Sequence, residues 1–203
     1  MLMLALAPPV LADEEIAGQP GAFLRIPTGT RAIGLGGAFV SIAEDPGGIF
    51  WNPAGLSQTK KSAIEIGHSM ISTDRQHSYA ATTLKLEGLG SIGFMWNSFS
   101  VSDIDGRNDT GHQTELFSDS ENALIGSFGK SFGPLSLGGS YKILQHSLAE
   151  NKATGTAYDV GAMFTIPLPD KDNLFRIGAS ATEIESSLVW DTDSGIEETI
   201  PVT

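Results

Sequence analysis

The chain has 203 residues, with 12 lysines and arginines against 24 aspartates and glutamates, so its formal net charge is -12. This negative balance argues against a nucleic-acid-binding protein, which needs a basic surface. The absence of cysteine excludes disulfide bonds, thiolate metal sites and a cysteine nucleophile. A charged fraction of only 18% together with 24 glycines favours an all-β chain over a disordered or helix-rich one.

Residues 1–12 (MLMLALAPPVLA) are apolar and end in a small residue before Asp13. This pattern resembles the apolar part and the cleavage site of a secretory signal peptide. A short buried N-terminal strand is the alternative, which the Pro8-Pro9 pair disfavours. No later run approaches the roughly 18 apolar residues that a spanning helix needs. We therefore expect an exported chain that is periplasmic, secreted or an outer-membrane barrel.

Residues 13–60 differ from the rest of the chain. The segment from Arg31 to Glu44 is rich in alanine and glycine and predicts a short helix of small residues, which Asp45-Pro46-Gly47-Gly48 ends. The segment from Ile49 to Leu56 predicts a compact loop with an aromatic pair. This block is too small to bury much surface alone, so we expect it to dock into a larger body.

From Ser62 onward, apolar residues alternate with small or polar ones, which is typical of amphipathic strands. The pattern predicts seven of them, centred on Ile66, Leu84, Phe94, Leu124, Leu137, Val160 and Ile177.

A soluble β-sandwich would show the same alternation, because one face of each strand would line its core. Two features favour a membrane barrel instead. The strands reach about ten residues, which suits a tilted membrane strand. The connections alternate between short turns, such as 88–90 and 133–134, and longer loops, such as 102–120 and 149–155. We therefore expect the apolar face to meet lipid and the glycine, serine, threonine and charged face to line a lumen.

An ordered string of motifs carries a family resemblance. It consists of GAFLRI from Gly21, GTRAIGLGGAFV from Gly29, Asp45, and IFWNPAGL from Ile49. This string resembles the N-terminal block of the PorV/PorQ-type outer-membrane proteins, relatives of the FadL long-chain fatty acid transporters. Weaker similarity continues at Tyr141-Lys142, Tyr158 to Gly161, Arg176 to Gly178 and Pro201 to Thr203.

The resemblance implies a monomeric antiparallel barrel in the bacterial outer membrane, of about fourteen strands when whole. Residues 13–60 would form a hatch, or plug, inside its lumen, and residues 61–203 would supply about half of the strands, so we expect a truncated sequence. The plug motif comprises Gly34, Gly36, Gly37, Asn52, Pro53, Ala54 and Gly55. The three glycines would let the plug helix approach the barrel wall, and Asn52 would bond its own backbone ahead of Pro53.

The sequence contains only weak signals for a metal-binding or catalytic site. Asp103 to Asp109 has the residue types of a calcium loop but not the EF-hand spacing, because a glycine stands at its fourth position. The four histidines show no metal-ligand spacing, and no G-x-S-x-G motif is present. We therefore predict no metal, no cofactor and no catalytic residue. Two expectations concern the strands: lumen-facing Glu65, Lys85, Lys142, Asp159 and Arg176 would pair with the plug, and Trp96, Tyr141, Tyr158 and Trp190 would form interfacial girdles or ordinary packing.

The sequence thus predicts a non-enzymatic outer-membrane protein. Its expected function is the passive passage of a hydrophobic small molecule, such as a long-chain fatty acid, gated by residues 13–60. The alternative is a type IX secretion shuttle or anchor that binds a secreted protein partner. A barrel hydrolase is a third hypothesis.

Overall fold

A computed structural model describes residues 21–168, 174–191 and 195–199. The predicted signal peptide (1–12), the first part of the predicted plug (13–20) and the Pro201–Thr203 motif lie outside the described residues. The chain is an antiparallel β protein whose N-terminal segment carries short helices. These are 3-10 helices at Ala22–Arg25 and Pro53–Gln58, α1 at Thr30–Gly34 and α2 at Gly48–Trp51. The strands are β1 Ala63–Met70, β2 Arg75–Leu86, β3 Gly90–Arg107, β4 Gln113–Phe132, β5 Leu135–Leu148, β6 Asn151–Pro167, β7 Leu174–Trp190 and β8 Glu197–Thr199.

The strands form one sheet in which each pairs with the next along the chain, in the order β1 to β8. All pairs are antiparallel, with Trp96 opposite Leu124 and Leu124 opposite Ile143; the register of β3 with β4 shifts only after Val101. All seven predicted strands are therefore confirmed. Among the described residues, β1 and β8 do not pair with each other, so the sheet has two edges.

The predicted alternation of short and long connections is wrong. The supposed loop at 102–120 is mostly strand, because β3 runs to Arg107 and β4 begins at Gln113. The supposed loop at 149–155 is a tight turn, since β5 ends at Leu148 and β6 begins at Asn151. The strands are instead longer than predicted, with 18 residues in β3, 20 in β4 and 17 in β6.

The two faces of the sheet differ in polarity in a way opposite to that of a soluble protein. The face away from the N-terminal segment, called the outer face, carries large apolar side chains that are mostly more than a third exposed; Phe94 is 54% exposed and Ile66 is 77% exposed. The inner face carries mostly small, polar and charged side chains, many of them buried, together with the apolar residues that pack on the plug. The outer set includes Ile64, Ile66, Leu84, Phe94, Trp96, Leu124, Phe128, Leu137, Tyr141, Ile143, Tyr158, Val160, Phe164, Phe175 and Ile177; the buried inner set includes Thr83, Ser91, Asn97, Ser136, Ser140, Lys142 and Asp159.

The apolar band of the outer face ends along one line of the register. Ser98, Asn122, Gln145 and Thr154 lie opposite one another on four consecutive strands, from β3 to β6. Residues of the outer face on one side of this line are mostly apolar, and β3 and β4 continue on the other side with mostly polar residues. Of the four residues of the proposed aromatic girdles, Trp96, Tyr141 and Tyr158 lie on the outer face; Trp96 is next to this line, and the two tyrosines lie further into the band.

Residues 21–60, called the plug below, lie against the inner face of all seven long strands. Glu65 on β1 accepts a hydrogen bond from Gly47 N, whereas Arg176 on β7 donates to Glu44. A flat sheet would place β1 and β7 about 29 Å apart, but Glu44 and Gly47 are separated by at most about 11 Å of chain, and side chains of a sheet stand roughly perpendicular to it, so they add little reach along the sheet. The sheet therefore curves around the plug.

The core lies between the plug and the curved sheet. Phe23, Leu24, Ile49 and Leu56 of the plug pack with inner-face residues that include Met95, Ile125 and Leu144. None of the helices in the described residues has the length and apolar character of a membrane-spanning helix.

Candidate functional site

The plug consists of short turns joined by glycine-dependent bends. Helix α1 ends at Gly34, and irregular turns follow up to Ile42, so the longer helix predicted from Arg31 to Glu44 is wrong. Gly36 and Gly37 have φ angles of 63° and 82°, which residues with a side chain rarely adopt. These two glycines therefore stop the helix after little more than one turn.

The glycines of the plug motif do not contact the sheet in the predicted way. Cβ atoms built on Gly34 and Gly36 would meet no atom of the described residues within 4 Å, and one on Gly37 would meet the ring of Trp51, also in the plug. The expectation that these three glycines allow close approach to the wall is thus wrong. For Gly36 and Gly37 the physical reason for glycine is backbone conformation.

Close approach depends instead on glycines of the sheet. A Cβ on Gly138 would overlap the backbone of Pro53 and Ala54, and one on Gly129 would lie 2.6 Å from the Pro53 carbonyl oxygen. A Cβ on Gly161 would overlap the Asn52 side chain. These glycines lie on the inner faces of β4, β5 and β6, where the second 3-10 helix rests directly on the sheet backbone.

Asn52 connects the plug internally and to the sheet. Its fully buried side chain accepts a hydrogen bond from Ala54 N at 3.0 Å, which caps the 3-10 helix that starts at Pro53. Its Nδ2 donates to the carbonyl oxygen of Val40 at 2.8 Å and to that of Ala162, on β6, at 3.3 Å. A side-chain amide is suited to this position, because it can both accept and donate hydrogen bonds.

The rest of the NPAG motif is buried at the same contact. Pro53, Ala54 and Gly55 are all buried, and a Cβ on Gly55 would overlap the carbonyl group of Ala43. The motif therefore lies between the backbone of Ala43, elsewhere in the plug, and the inner face of the sheet.

The polar contacts between plug and sheet differ from the predicted set of ion pairs. Arg176 forms one, with its Nη1 at 2.9 Å from Glu44 Oε2. Glu65 accepts from Gly47 N at 3.0 Å and from the Tyr79 hydroxyl at 2.7 Å, and Lys85 donates to the Thr59 carbonyl at 2.9 Å. Two of the five predicted residues thus bind the plug through its backbone.

The other two, Lys142 and Asp159, pair within the sheet. Lys142 is fully buried, lies 3.0 Å from Asp159 Oδ1, and also pairs with Glu183. The Glu183 N–H donates to Asp159, and Glu183 has a φ of 58° where the β6–β7 register is interrupted. The lysine ammonium lies 5.9 Å from the ring centroid of Phe50 in the plug.

A cavity of about 450 Å³ lies between the plug and β7. Leu24, Val40, Phe50 and Trp51 give it apolar walls, while Arg25, Ser180, Thr182 and Glu183 supply polar groups. Trp51 also packs edge-on against Phe39 and donates to the Thr28 carbonyl at 2.8 Å, so it has a structural part in the plug as well. The cavity can accept a molecule with an apolar body and a polar end.

The surroundings of Asp45, in the plug, shift the pKa of its carboxyl group. Burial raises the pKa of the Asp45 carboxyl above its ordinary value of 3.8, and the nearby Glu65 carboxylate raises it further. The Gly48 N–H at 3.0 Å and Arg31 oppose this rise. The ionised form is thus less favourable in the docked plug than in water.

Two further sequence expectations concern sites. The segment from Asp103 to Asp109 lies at the β3–β4 hairpin, where Asp105 forms an exposed ion pair with Arg107.

The sequence predicted no metal site, but the structure brings Asp119, Glu121 and His146 together on the inner face. Trp190 lies there too, against the His146 ring, so it does not belong to an outer girdle. Residue spacing along the sequence could not reveal this group, because its members belong to two strands and the sequence does not specify how these strands are paired.

Comparison with protein-family models, with curated proteins and with solved structures found no match to this chain.

Proposed function

We propose that the chain is part of a closed β-barrel in the bacterial outer membrane and that the plug lies in its lumen. The observation that supports this most is the exposed apolar outer face beside a polar inner face. Soluble monomers rarely expose a continuous apolar surface of this extent, whereas membrane barrels require one. The polar line from Ser98 to Thr154 would mark one boundary of the hydrocarbon layer.

We further propose that the protein passes hydrophobic small molecules, such as long-chain fatty acids, across the membrane. The cavity between plug and β7 supports this, because its walls are aromatic and aliphatic. Arg25 lines the same cavity, is exposed, and forms no ion pair within the described residues. A guanidinium next to an apolar cavity suits a molecule with a carboxylate end.

The proposed mechanism is passive and needs no cofactor. The ligand occupies the cavity, and the part of the plug near Val40 moves away from β7 to widen the path. The contacts that hold this part are the ion pair of Glu44 with Arg176 and the close approach of Gly178 to Val40, where a Cβ would lie 2.6 Å from the carbonyl oxygen. Breaking one ion pair costs on the order of 1 kcal/mol, which thermal motion readily supplies.

Quenching by brominated lipid acyl chains tests the membrane assignment. The protein is reconstituted in such vesicles, and variants keep a single tryptophan, with the other two changed to phenylalanine. Fluorescence from Trp96, on the outer face, is expected to fall strongly, whereas that from Trp51, in the plug, is expected to stay. Equal quenching of both, or of neither, contradicts the assignment.

A cross-link tests the gating role of the plug. Glu44→Cys with Arg176→Cys, joined by a reducible thiol cross-linker, fixes the plug to β7 in a chain that otherwise lacks cysteine. Uptake of a fluorescent long-chain fatty acid by vesicles is expected to fall several-fold and to recover on reduction. The matched control is Gln145→Cys with Thr154→Cys, opposite each other on the outer face of the sheet. Undiminished uptake at full cross-linking yield refutes the gating mechanism.

A second candidate role, as a type IX secretion shuttle or anchor, is supported by the β3–β4 hairpin. These strands continue past the polar line to Arg107 and from Gln113, so the hairpin would project from the membrane. Shortening the hairpin by residues 104–116 separates the two roles. The shuttle role predicts loss of surface-anchored secreted proteins with fatty acid uptake intact; the transport role predicts no such loss.

A further inference from the structure

Asp119, Glu121 and His146 form a compact group on the inner face, near the polar line that ends the apolar band. Glu121 on β4 lies directly opposite His146 on β5, and Asp119 lies two residues from Glu121 on the same face. His146 Nε2 is 2.8 Å from Asp119 Oδ1. One donor atom from each of the three residues lies within 4.8 Å of the others.

Glu121 distinguishes this group from an ordinary surface cluster of charges. Glu121 is only 8% exposed. Within the described residues, its side chain makes no hydrogen bond or ion pair. Burying a carboxylate without a partner is costly, and buried charges in proteins are paired or bind metals. Asp119 Oδ1 already lies 2.8 Å from His146 Nε2, so the trio places two carboxylates beside a single imidazole.

We propose that this trio binds one divalent transition-metal cation of the zinc class. Two carboxylate oxygens and one imidazole nitrogen are a donor set that such cations accept, and the two carboxylates balance the charge of the ion. The side chains of His146 and Asp119 are 14% and 22% exposed, which leaves room for water on the remaining coordination positions. The site would tie β4 to β5 at the end of the sheet where both strands extend beyond the apolar band.

The donor chemistry disfavours a hard cation. Calcium prefers six to eight oxygen ligands, whereas this group supplies two carboxylates and a nitrogen. The competing explanation is that Asp119 and His146 form only a hydrogen-bonded pair and that Glu121 is simply a buried side chain. That explanation predicts no metal binding at all. The proposal does not depend on the transport function.

Calorimetry on the purified, chelator-treated protein in detergent tests the proposal with zinc as the probe. One zinc ion per chain is expected, with calcium unable to compete at equal concentration. Glu121→Gln and His146→Ala are each expected to lower the zinc affinity at least tenfold. The matched controls are Glu115→Gln, on the same strand outside the trio, and His68→Ala, an exposed histidine on β1; both are expected to keep the affinity.

Trp190 supplies a second readout at the site, because its ring centroid lies 4.9 Å from that of His146. Cobalt or nickel bound to the trio is expected to quench Trp190 fluorescence, and Trp190→Phe removes this response without removing the calorimetric zinc signal. Asp119→Asn serves if either ligand variant fails to fold. The proposal is overturned if no stoichiometric zinc binds, if binding survives in the Glu121 and His146 variants, or if calcium displaces zinc.

Discussion

Replacement of Asn52 by alanine tests whether the plug is held by the contacts described above. The change removes the cap of the 3-10 helix that begins at Pro53, at a cost of about 1 kcal/mol. It also removes two hydrogen bonds to the carbonyl oxygens of Val40 and Ala162, at about 1 kcal/mol each. An opening that exposes the amides of residues 48–58 breaks these bonds within the plug as well as the bond to Ala162, so the free energy of this opening is expected to fall by about 3 kcal/mol, which is about a hundredfold in the opening equilibrium.

Hydrogen exchange of the amides between 48 and 58 measures this opening directly. The exchange of these amides is expected to accelerate about a hundredfold in Asn52→Ala, as the arithmetic above requires, while amides of β4 and β5 stay protected. Asn122→Ala is the control, because Asn122 lies on the outer face and its side chain bonds, among the described residues, only to Trp96 and Ser120. Acceleration of less than threefold, or the same acceleration in the control, refutes this account of the plug.

Three more predictions use the same measurement of plug opening. Gly138→Ala is expected to loosen the plug, because its Cβ would overlap the Pro53 backbone, while Gly139→Ala, whose Cβ faces only a carbonyl oxygen at 3.6 Å, is not; equal effects contradict the close-approach argument. The raised pKa of Asp45 means that the docked plug binds a proton more tightly than the unfolded chain, so docking is expected to weaken as pH rises from 3.8 through that pKa. Asp45→Asn removes this pH dependence, and an unchanged profile in that variant argues against it. A double-mutant cycle with Glu44→Gln and Arg176→Gln is expected to give a coupling of about 1 kcal/mol, and additive effects would show that the ion pair does not hold the plug.

The strands were predictable where the sheet has two unlike faces. Between Leu135 and Ile143, most outer positions are large and apolar while the inner positions are small or polar, because the faces differ in polarity. Beyond Ser98 on β3 and before Asn122 on β4, both faces are mostly polar, so the alternation disappears although the strands continue. The alternation in the sequence therefore indicates the extent of the apolar band rather than the length of the strands.

The site was predictable only in part. The asparagine of the NPAG motif does bond its own backbone, as its position before Pro53 indicated. Which glycines allow close contact could not be read from the sequence, because that depends on what lies opposite each one: Gly138 faces Pro53, and Gly34 faces open space. The grouping of Glu121 with His146 likewise depends on a strand register that local patterns do not specify.

The glycines beneath the second 3-10 helix have a consequence for assembly. Glycine within strands weakens a sheet, since it contributes no side chain to pack and loses more freedom on ordering. Gly129, Gly138 and Gly161 occupy adjacent strands at the same contact, so this part of the sheet has little to shape it until residues 52–56 are seated. Those residues precede every strand of the described part of the chain, so they are synthesised before these strands. We therefore expect them to serve as the surface on which the later hairpins pack and acquire their curvature.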